Sequence, residues 1–261
     1  MTFTEFGICR LSIVPVRASA SEKTEMISQL LFGDHYSVIQ YSEDQNWLQI
    51  KIFFDGYIGW INGKQHKVIT EEHFDQINLS EYKICTDVTA TVLYNKRYIP
   101  ILLGSILPIH TQELFQLEER LAFNGESKAL FQKRDYDYLK MTAKKYLDAP
   151  YLWGGKSPFG IDCSGFVQQV FKICGYKLLR DASQQVTQGK EVAGIGASRP
   201  GDLAFFENAD HKIVHVGIIM ENNYIIHASG KVRLDWLDEI GILIEESRLY
   251  SHYFHSIRRI L

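Results

Sequence analysis

Over residues 160–175, GIDCSGFVQQVFKICG, the apolar positions Phe166, Val167, Val170, Phe171 and Cys174 recur at steps of one, three and four. That spacing predicts an amphipathic helix pressed on a core. Gly175 is placed to supply a left-handed cap after the last turn. The front of the chain has the other period. CRLSIVPVR alternates, and residues 36–61 divide into three further short apolar runs separated by polar turns. Short strands at close spacing predict a small barrel, with TEMISQLLFG as a turn of helix beside it. Residues 82–117 read as a second β module, punctuated by Gly104 and Pro108. The stretch EERLAFNGESKALFQKRD reads as a linker.

From residue 135 the pattern changes. DYDYLKMTAKKYLDAP predicts a helix ending at Pro150, followed by a Trp-Gly-Gly turn and then the Cys163 helix. GDLAFFEN, IVHVGIIMENNYIIHAS and IGILIEESR follow as strands. Helices first and an antiparallel sheet after them make an α+β domain. The predicted boundaries are 1–66 for the first β module, 67–134 for the second with its linker, and 135–261 for the α+β domain.

Composition changes this picture little. The chain has 261 residues, a net charge of −3, 46% hydrophobic and 23% charged residues. These are ordinary values for a globular protein with a real core, without the basic excess of a nucleic-acid binder. Four scattered cysteines form neither a disulfide framework nor a paired zinc motif, which points to a reducing compartment. The N-terminus lacks the apolar run of a signal peptide, and no stretch of 18 apolar residues is present. A cytoplasmic location, with no membrane or nucleic-acid partner, is the expectation.

The candidate chemistry sits at Cys163. Its neighbours Asp162, Ser164 and Gly165 are not core residues, whereas Cys174 belongs to the apolar stripe. A cysteine at a helix N-terminus faces unpaired N–H groups and the positive end of the dipole. Such a site can bring a thiol from about 8.5 to roughly 3.5–7.5. A base is available in KIVHVGIIM. Val214, Val216 and Ile218 share one strand face, and His215 shares the other with Gly217, which leaves space beside it. A hairpin through ENN can bring His227 next to His215. Cysteine, histidine and a third polar residue that fixes the imidazole form an activated nucleophile. A metal site on His211 and His215 fails on geometry, because four residues of strand span about 13 Å. Neither metal nor cofactor is expected.

The ordered strings YLWGG, GIDCSGFVQQVF, LRDASQQV, RPGDLAFF, HVGIIM and IHAS closely resemble the NlpC-type cell-wall peptidases, over residues 136–261. The front half resembles bacterial SH3-like modules. The resemblance implies two small all-β SH3-like barrels followed by an α+β papain-like cysteine peptidase domain. It implies Cys163 as nucleophile, His215 as base and His227 as orienting residue. Backbone N–H groups at the helix start, with Tyr151 nearby, would hold the oxyanion. Substrate contacts would come from Tyr151, Trp153, Asp162, Ser164, Asp181 and Ser183. In the family's loop after the catalytic helix a hydroxyl stands where this chain has Ala182, with Ser183 one step later. The subset with SH3-like modules implies γ-D-glutamyl-L-diamino-acid endopeptidase activity on free murein peptides bearing an unblocked N-terminal L-alanine. By position, Glu25 and Tyr57 would recognise that amine. The alternatives are a hydrolase of intact peptidoglycan and a wall-binding protein.

Overall fold

The computed structural model describes residues 5–79, 82–107, 121–244 and 247–261. Pro108, the end of the second apolar segment and the pair Glu245–Glu246 lie outside the described residues. The chain forms two compact units, one of residues 1–132 with 154–157, the other of 133–153 with 158–261.

In the first unit, alternation produces the expected strands Ile13–Arg17, His35–Tyr41, Trp47–Ile52 and Ile58–Asn62. With Phe6–Ile8, Met26–Leu31 and Val68–Ile69 they make one seven-stranded antiparallel sheet. Its inward positions, among them Val14, Val16, Leu30, Tyr36, Leu48, Ile50 and Ile61, form the core. The helical turn expected at TEMISQLLFG is a strand instead. Met26–Leu31 pairs with Ile13–Arg17, and Ser28, Gln29, Leu30 and Leu31 are all buried. A strand covered on both faces loses the period-two signal. A helix at Glu71–Leu79, which the strand pattern does not suggest, stacks Phe74 on Phe6 with ring centroids 4.2 Å apart.

The second β module is two three-stranded sheets. Thr89–Tyr94 pairs with Arg97–Leu102 on one side and Leu121–Asn124 on the other. Lys83–Cys85 pairs with Ile106–Leu107 and Ser127–Ala129. The segment read as a linker therefore supplies two strands. They are only four and three residues long and mostly half-buried or exposed, too short for an alternation to stand out. Phe32 joins the core of this module with Cys85, Val92, Ile101 and Leu107. Gly33 makes that approach feasible, because its φ is +85° and a Cβ there would stand 2.0 Å from the Ile106 carbonyl oxygen. Residues 154–157, from the Trp-Gly-Gly turn onward, count with this unit. The Lys156 N–H donates to Gln29 Oε1 at 2.8 Å.

The second unit opens with a helix at Tyr136–Lys144, whose cap Asp135 accepts the Tyr138 N–H at 3.1 Å. It ends before the expected Pro150, and Asp148 in the following turn has φ 64°. The helix Cys163–Ile173 is buried along its whole length, Gln168, Gln169 and Lys172 included. The apolar stripe thus marks only part of its buried surface. Gly175 takes φ 83° and returns its N–H to the Lys172 carbonyl, as the cap rule requires. The sheet runs Lys190–Val192, Leu249–Arg259, Leu203–Glu207, Ile213–Ile219, Tyr224–Ser229, Lys231–Leu237, Gly241–Ile244. The long strand Leu249–Arg259 also pairs with Gly241–Ile244, so the sheet curls onto itself. Ala204, Phe206, Ile219, Ile225, Leu237, Ile242 and Ile257 form its core. No helix among the described residues is long and apolar enough to cross a membrane.

Gly33→Ala should destabilise the protein by about 1–3 kcal/mol, the usual cost of a strained backbone, increased by the collision with Ile106. Gly56 is a control, since its φ is also positive but an added Cβ meets only Lys51 Cε at 3.8 Å. Denaturant unfolding of both variants should show a larger loss for Gly33→Ala. Equal losses would contradict the close approach.

Candidate active site

The start of the Cys163 helix is fixed by a buried ion pair. Asp162 is the N-cap, in extended backbone, and its Oδ1 accepts the Gly165 N–H at 2.6 Å. Arg180, from the loop after the helix, donates Nη1 to Oδ1 at 3.0 Å and Nη2 to Oδ2 at 2.5 Å. The same Nη1 donates to Ser164 Oγ at 2.9 Å. Arg180 is 1% exposed and Asp162 6%. Gln185 adds Nε2 donations to the carbonyls of Ser164 and Leu179 at 3.0 and 2.8 Å. The side-chain oxygens of Asp162 and Ser164, two of the expected substrate contacts, are bonded inside the protein.

Cys163 is buried at the first helical position. Burial pushes its thiol up to about 12, and the Asp162 carboxylate adds to the rise. The backbone at Val216 and Ser164 and the Arg180 guanidinium pull the other way without prevailing. The low-pKa thiol expected from the helix end is therefore not found in the folded chain. Desolvation outweighs the helix terminus. The hydrogen bond to the Val216 backbone places the sulfur beside the residue that follows His215.

His215 and Gly217 share one face of their strand, as the alternation predicts. Gly217 pairs in register with His227 on the next strand. A Cβ at Gly217 would stand 2.9 Å from His227 Cβ, so the glycine makes room for the second ring. His215 Nε2 lies 2.8 Å from His227 Nδ1. His227 Nε2 in turn lies 3.0 Å from Asp235 Oδ2. Arg233, opposite His227 in the register, holds Asp235 through Nε at 2.6 Å and Nη2 at 2.8 Å. The His252 ring stacks on His215 with centroids 3.9 Å apart. Register shifts at Phe206 bend the strand beside His215, a common device near functional sites. Burial drives His215 well below the ordinary histidine value, helped by His227 and His252. It lowers His227 too, against the opposing pull of Asp235. His252 falls to about 4, mainly through burial.

The other candidates divide. Tyr151 is close enough to feel Cys163 and Asp162, which add to the burial that raises its phenol to about 12. Trp153 is exposed. Asp181 is half-buried at the start of the helix Ala182–Gln185, its N–H donating to Gln184 Oε1 at 3.1 Å. Ala182 is buried and Ser183 exposed. Glu25 is exposed and Tyr57 half-buried, both in the first unit. His211 lies in an exposed turn, bonded to Glu207 Oε1 at 2.9 Å. A different group could hold a metal, since ring nitrogens of His215, His227 and His252 lie within 4.8 Å of one another. The His215 and His252 planes are only 22° apart in their stack, however. Their in-plane lone pairs do not converge on one ion. Sequence reasoning missed Asp235, Arg233 and His252. The hairpin HASGKVRLD was the available signal, because a tight turn at Gly230 sets Arg233 across from His227.

A thiol at a helix start, bonded to the strand that carries a histidine whose Nε2 is bound to a second histidine, is the apparatus of a cysteine hydrolase. Residues 148–256 match the NlpC/P60 family, and residues 16–65 match the bacterial dipeptidyl-peptidase SH3 domain. The chain therefore carries an NlpC/P60 cysteine-peptidase domain behind a bacterial SH3-like domain. It is 28% identical to the gamma-D-glutamyl-L-lysine dipeptidyl-peptidase of Bacillus subtilis, over 99% of this chain and 86% of that one. It is also 28% identical to dipeptidyl-peptidase 6 of Lysinibacillus sphaericus, over 82% and 85% of the two chains. The crystal structure of an NlpC/P60 family protein from Bacillus cereus shares the fold, with a TM-score of 0.81 at 20% identity, over 97% of this chain and 99% of that one.

A thiol raised by burial predicts how Cys163 alkylates. With iodoacetamide, its rate constant should climb roughly tenfold per pH unit from 7 to 9, because the thiolate fraction does so well below the pKa. A plateau reached below pH 8 would show a preformed thiolate instead.

Proposed function

We propose that this protein is a γ-D-glutamyl-L-diamino-acid endopeptidase acting on short murein peptides with a free N-terminal L-alanine. On this reading it works without a cofactor, in the cytoplasm, in the recycling of wall peptides, and residues 67–134 hold a second SH3-like barrel with its linker. The observation that carries the peptidase chemistry is the 2.8 Å bond between His215 Nε2 and His227 Nδ1. It commits Nε2 and leaves Nδ1 for the thiol. The choice of bond is supported by the likeness to the Bacillus subtilis gamma-D-glutamyl-L-lysine dipeptidyl-peptidase along 99% of this chain.

In this mechanism Cys163 Sγ attacks the γ-carbonyl carbon of D-glutamate while its proton passes to His215 Nδ1. The developing oxyanion is met by N–H groups at the helix start, with Tyr151 nearby. Collapse breaks the C–N bond, and the imidazolium hands its proton to the departing amine of the diamino acid. A thioester of L-Ala-D-Glu remains on Cys163. Neutral His215 then takes a proton from water, whose oxygen displaces the thiol.

Release of new amine from L-Ala-γ-D-Glu-diaminopimelate and from its L-lysine counterpart tests the reading. Cys163→Ala and His215→Ala should each lose at least about a thousandfold in kcat, and the double variant little more, as for residues acting as one unit. Retained turnover in Cys163→Ala would overturn the cysteine mechanism.

Glu25 and Tyr57 are assigned to the alanine amine on this reading. A charged amine paired with a carboxylate is worth about 1–3 kcal/mol, or roughly ten- to hundredfold in kcat/KM. N-acetylation of the peptide should cost at least that much, and Glu25→Ala should penalise the free peptide far more than the acetylated one. Equal kcat/KM for free and acetylated peptides would point to a hydrolase of intact wall.

A further inference from the structure

The hydrogen bonds at the histidines run on past the second ring to a carboxylate. Asp235 is 1% exposed and sits on the strand Lys231–Leu237, two residues beyond the Arg233 that faces His227. We propose that Asp235 is a positioning residue for the peptidase, fixing through His227 the tautomer in which His215 presents a bare Nδ1 to Cys163.

Each step follows from what a group can donate. Burial raises the Asp235 carboxyl, but the bonds from His227 and Arg233 outweigh it and hold it below the ordinary range. An ionised carboxylate has no proton to give. The 3.0 Å contact to His227 Nε2 is therefore an N–H donated by the imidazole. His227 is kept neutral by burial, so with a proton on Nε2 its Nδ1 carries only a lone pair. The 2.8 Å contact to His215 Nε2 must then be donated by His215. His215 is kept neutral as well, by burial and by the neighbouring rings of His227 and His252. Its own Nδ1 is left as an acceptor. Arg233 supplies the opposite charge that keeps Asp235 ionised at this depth.

An amide at position 235 breaks the logic. Facing Arg233, the Asn oxygen turns to the guanidinium and its NH2 turns to His227. Nε2 of His227 must then accept, Nδ1 must carry the proton, and His215 must accept on Nε2. The proton of His215 moves to Nδ1, the nitrogen the thiol needs bare. The same reversal in a serine protease triad, where the carboxylate becomes an amide, is worth about 10⁴ in kcat.

The proposal rests on Cys163 and His215 being the reacting pair, and its test does not rest on the substrate. In ¹⁵N-histidine-labelled Cys163→Ala protein, long-range ¹H–¹⁵N spectra at pH 7.5 should show His215 and His227 both protonated on Nε2. The same protein carrying Asp235→Asn should show both protonated on Nδ1. In the active background, Asp235→Asn should lower kcat on the γ-glutamyl peptide at least about a hundredfold, with KM within about threefold. His227 protonated on Nδ1 when Asp235 is intact would overturn the proposal even if the Asn variant does not fold. A slow Asn variant whose His215 keeps its proton on Nε2 would also overturn it. If the peptide is not cleaved by the unmodified enzyme but the tautomers are as stated in both proteins, the substrate reading fails and the role of Asp235 stands.

Discussion

The buried pair between Asp162 and Arg180 decides where the Cys163 helix begins, and the rest of the site is built on that decision. One carboxylate caps the helix through the Gly165 N–H, and both of its oxygens are held by a guanidinium brought from 18 residues further along. Removing one partner of such a pair strands a charge and costs about 3–5 kcal/mol. The pair also sets the field at the sulfur. Asp162 pushes the thiol up, and Arg180, paired with that carboxylate, pulls it part of the way back. A cap alone would start the helix. The arginine makes a capped helix compatible with a nucleophile at its first residue.

The histidines solve a different problem on the sheet. A base buried among apolar side chains is neutral, and a neutral imidazole acts as a base only through the nitrogen that lacks the proton. Orientation therefore matters more here than charge. The strand register supplies it, because Gly217 removes the side chain that would separate the two rings, and His227 takes the space. The stacked His252 and the tilted Phe206 ring pack against His215 and hold its plane. Restricting the ring in this way costs the site solvent access, and it secures a single donor direction.

Much of this was legible in the sequence, and the gaps have physical causes. The helix at Cys163, its Gly175 cap, the strand that carries His215 and the turn leading to His227 all follow from local periodicity and turn chemistry. The strand at Met26–Leu31 did not, because burial on both faces erases alternation. The strands Leu121–Asn124 and Ser127–Ala129 did not, because four and three partly exposed residues are too few to show a period. Asp235 and Arg233 were missed for another reason. A carboxylate two residues from an arginine on a strand reads as a surface pair, and only the pairing of that strand with His227 reveals the burial. The raised thiol was missed because helix position is a local property, whereas desolvation is set by everything that folds over the residue.

The three packed imidazoles also make the protein a poor competitor for protons. An unfolded histidine takes up a proton near pH 6.5, while burial lowers His215, His227 and His252 below that value in the fold. Above pH 6.5 neither state binds, and the difference vanishes. As pH falls through 6.5, the unfolded chain gains protons that the folded one refuses, and each such histidine withdraws stability at about 1.4 kcal/mol per pH unit until its own folded value is reached. For His252 that limit is about pH 4. By pH 5 it alone accounts for about 2 kcal/mol, against a typical total of about 5–15 kcal/mol for a folded domain. The arrangement that keeps the base unprotonated for catalysis thus ties the integrity of the second unit to a neutral surrounding, and acid would disable the enzyme by loosening its fold as well as by titrating its base.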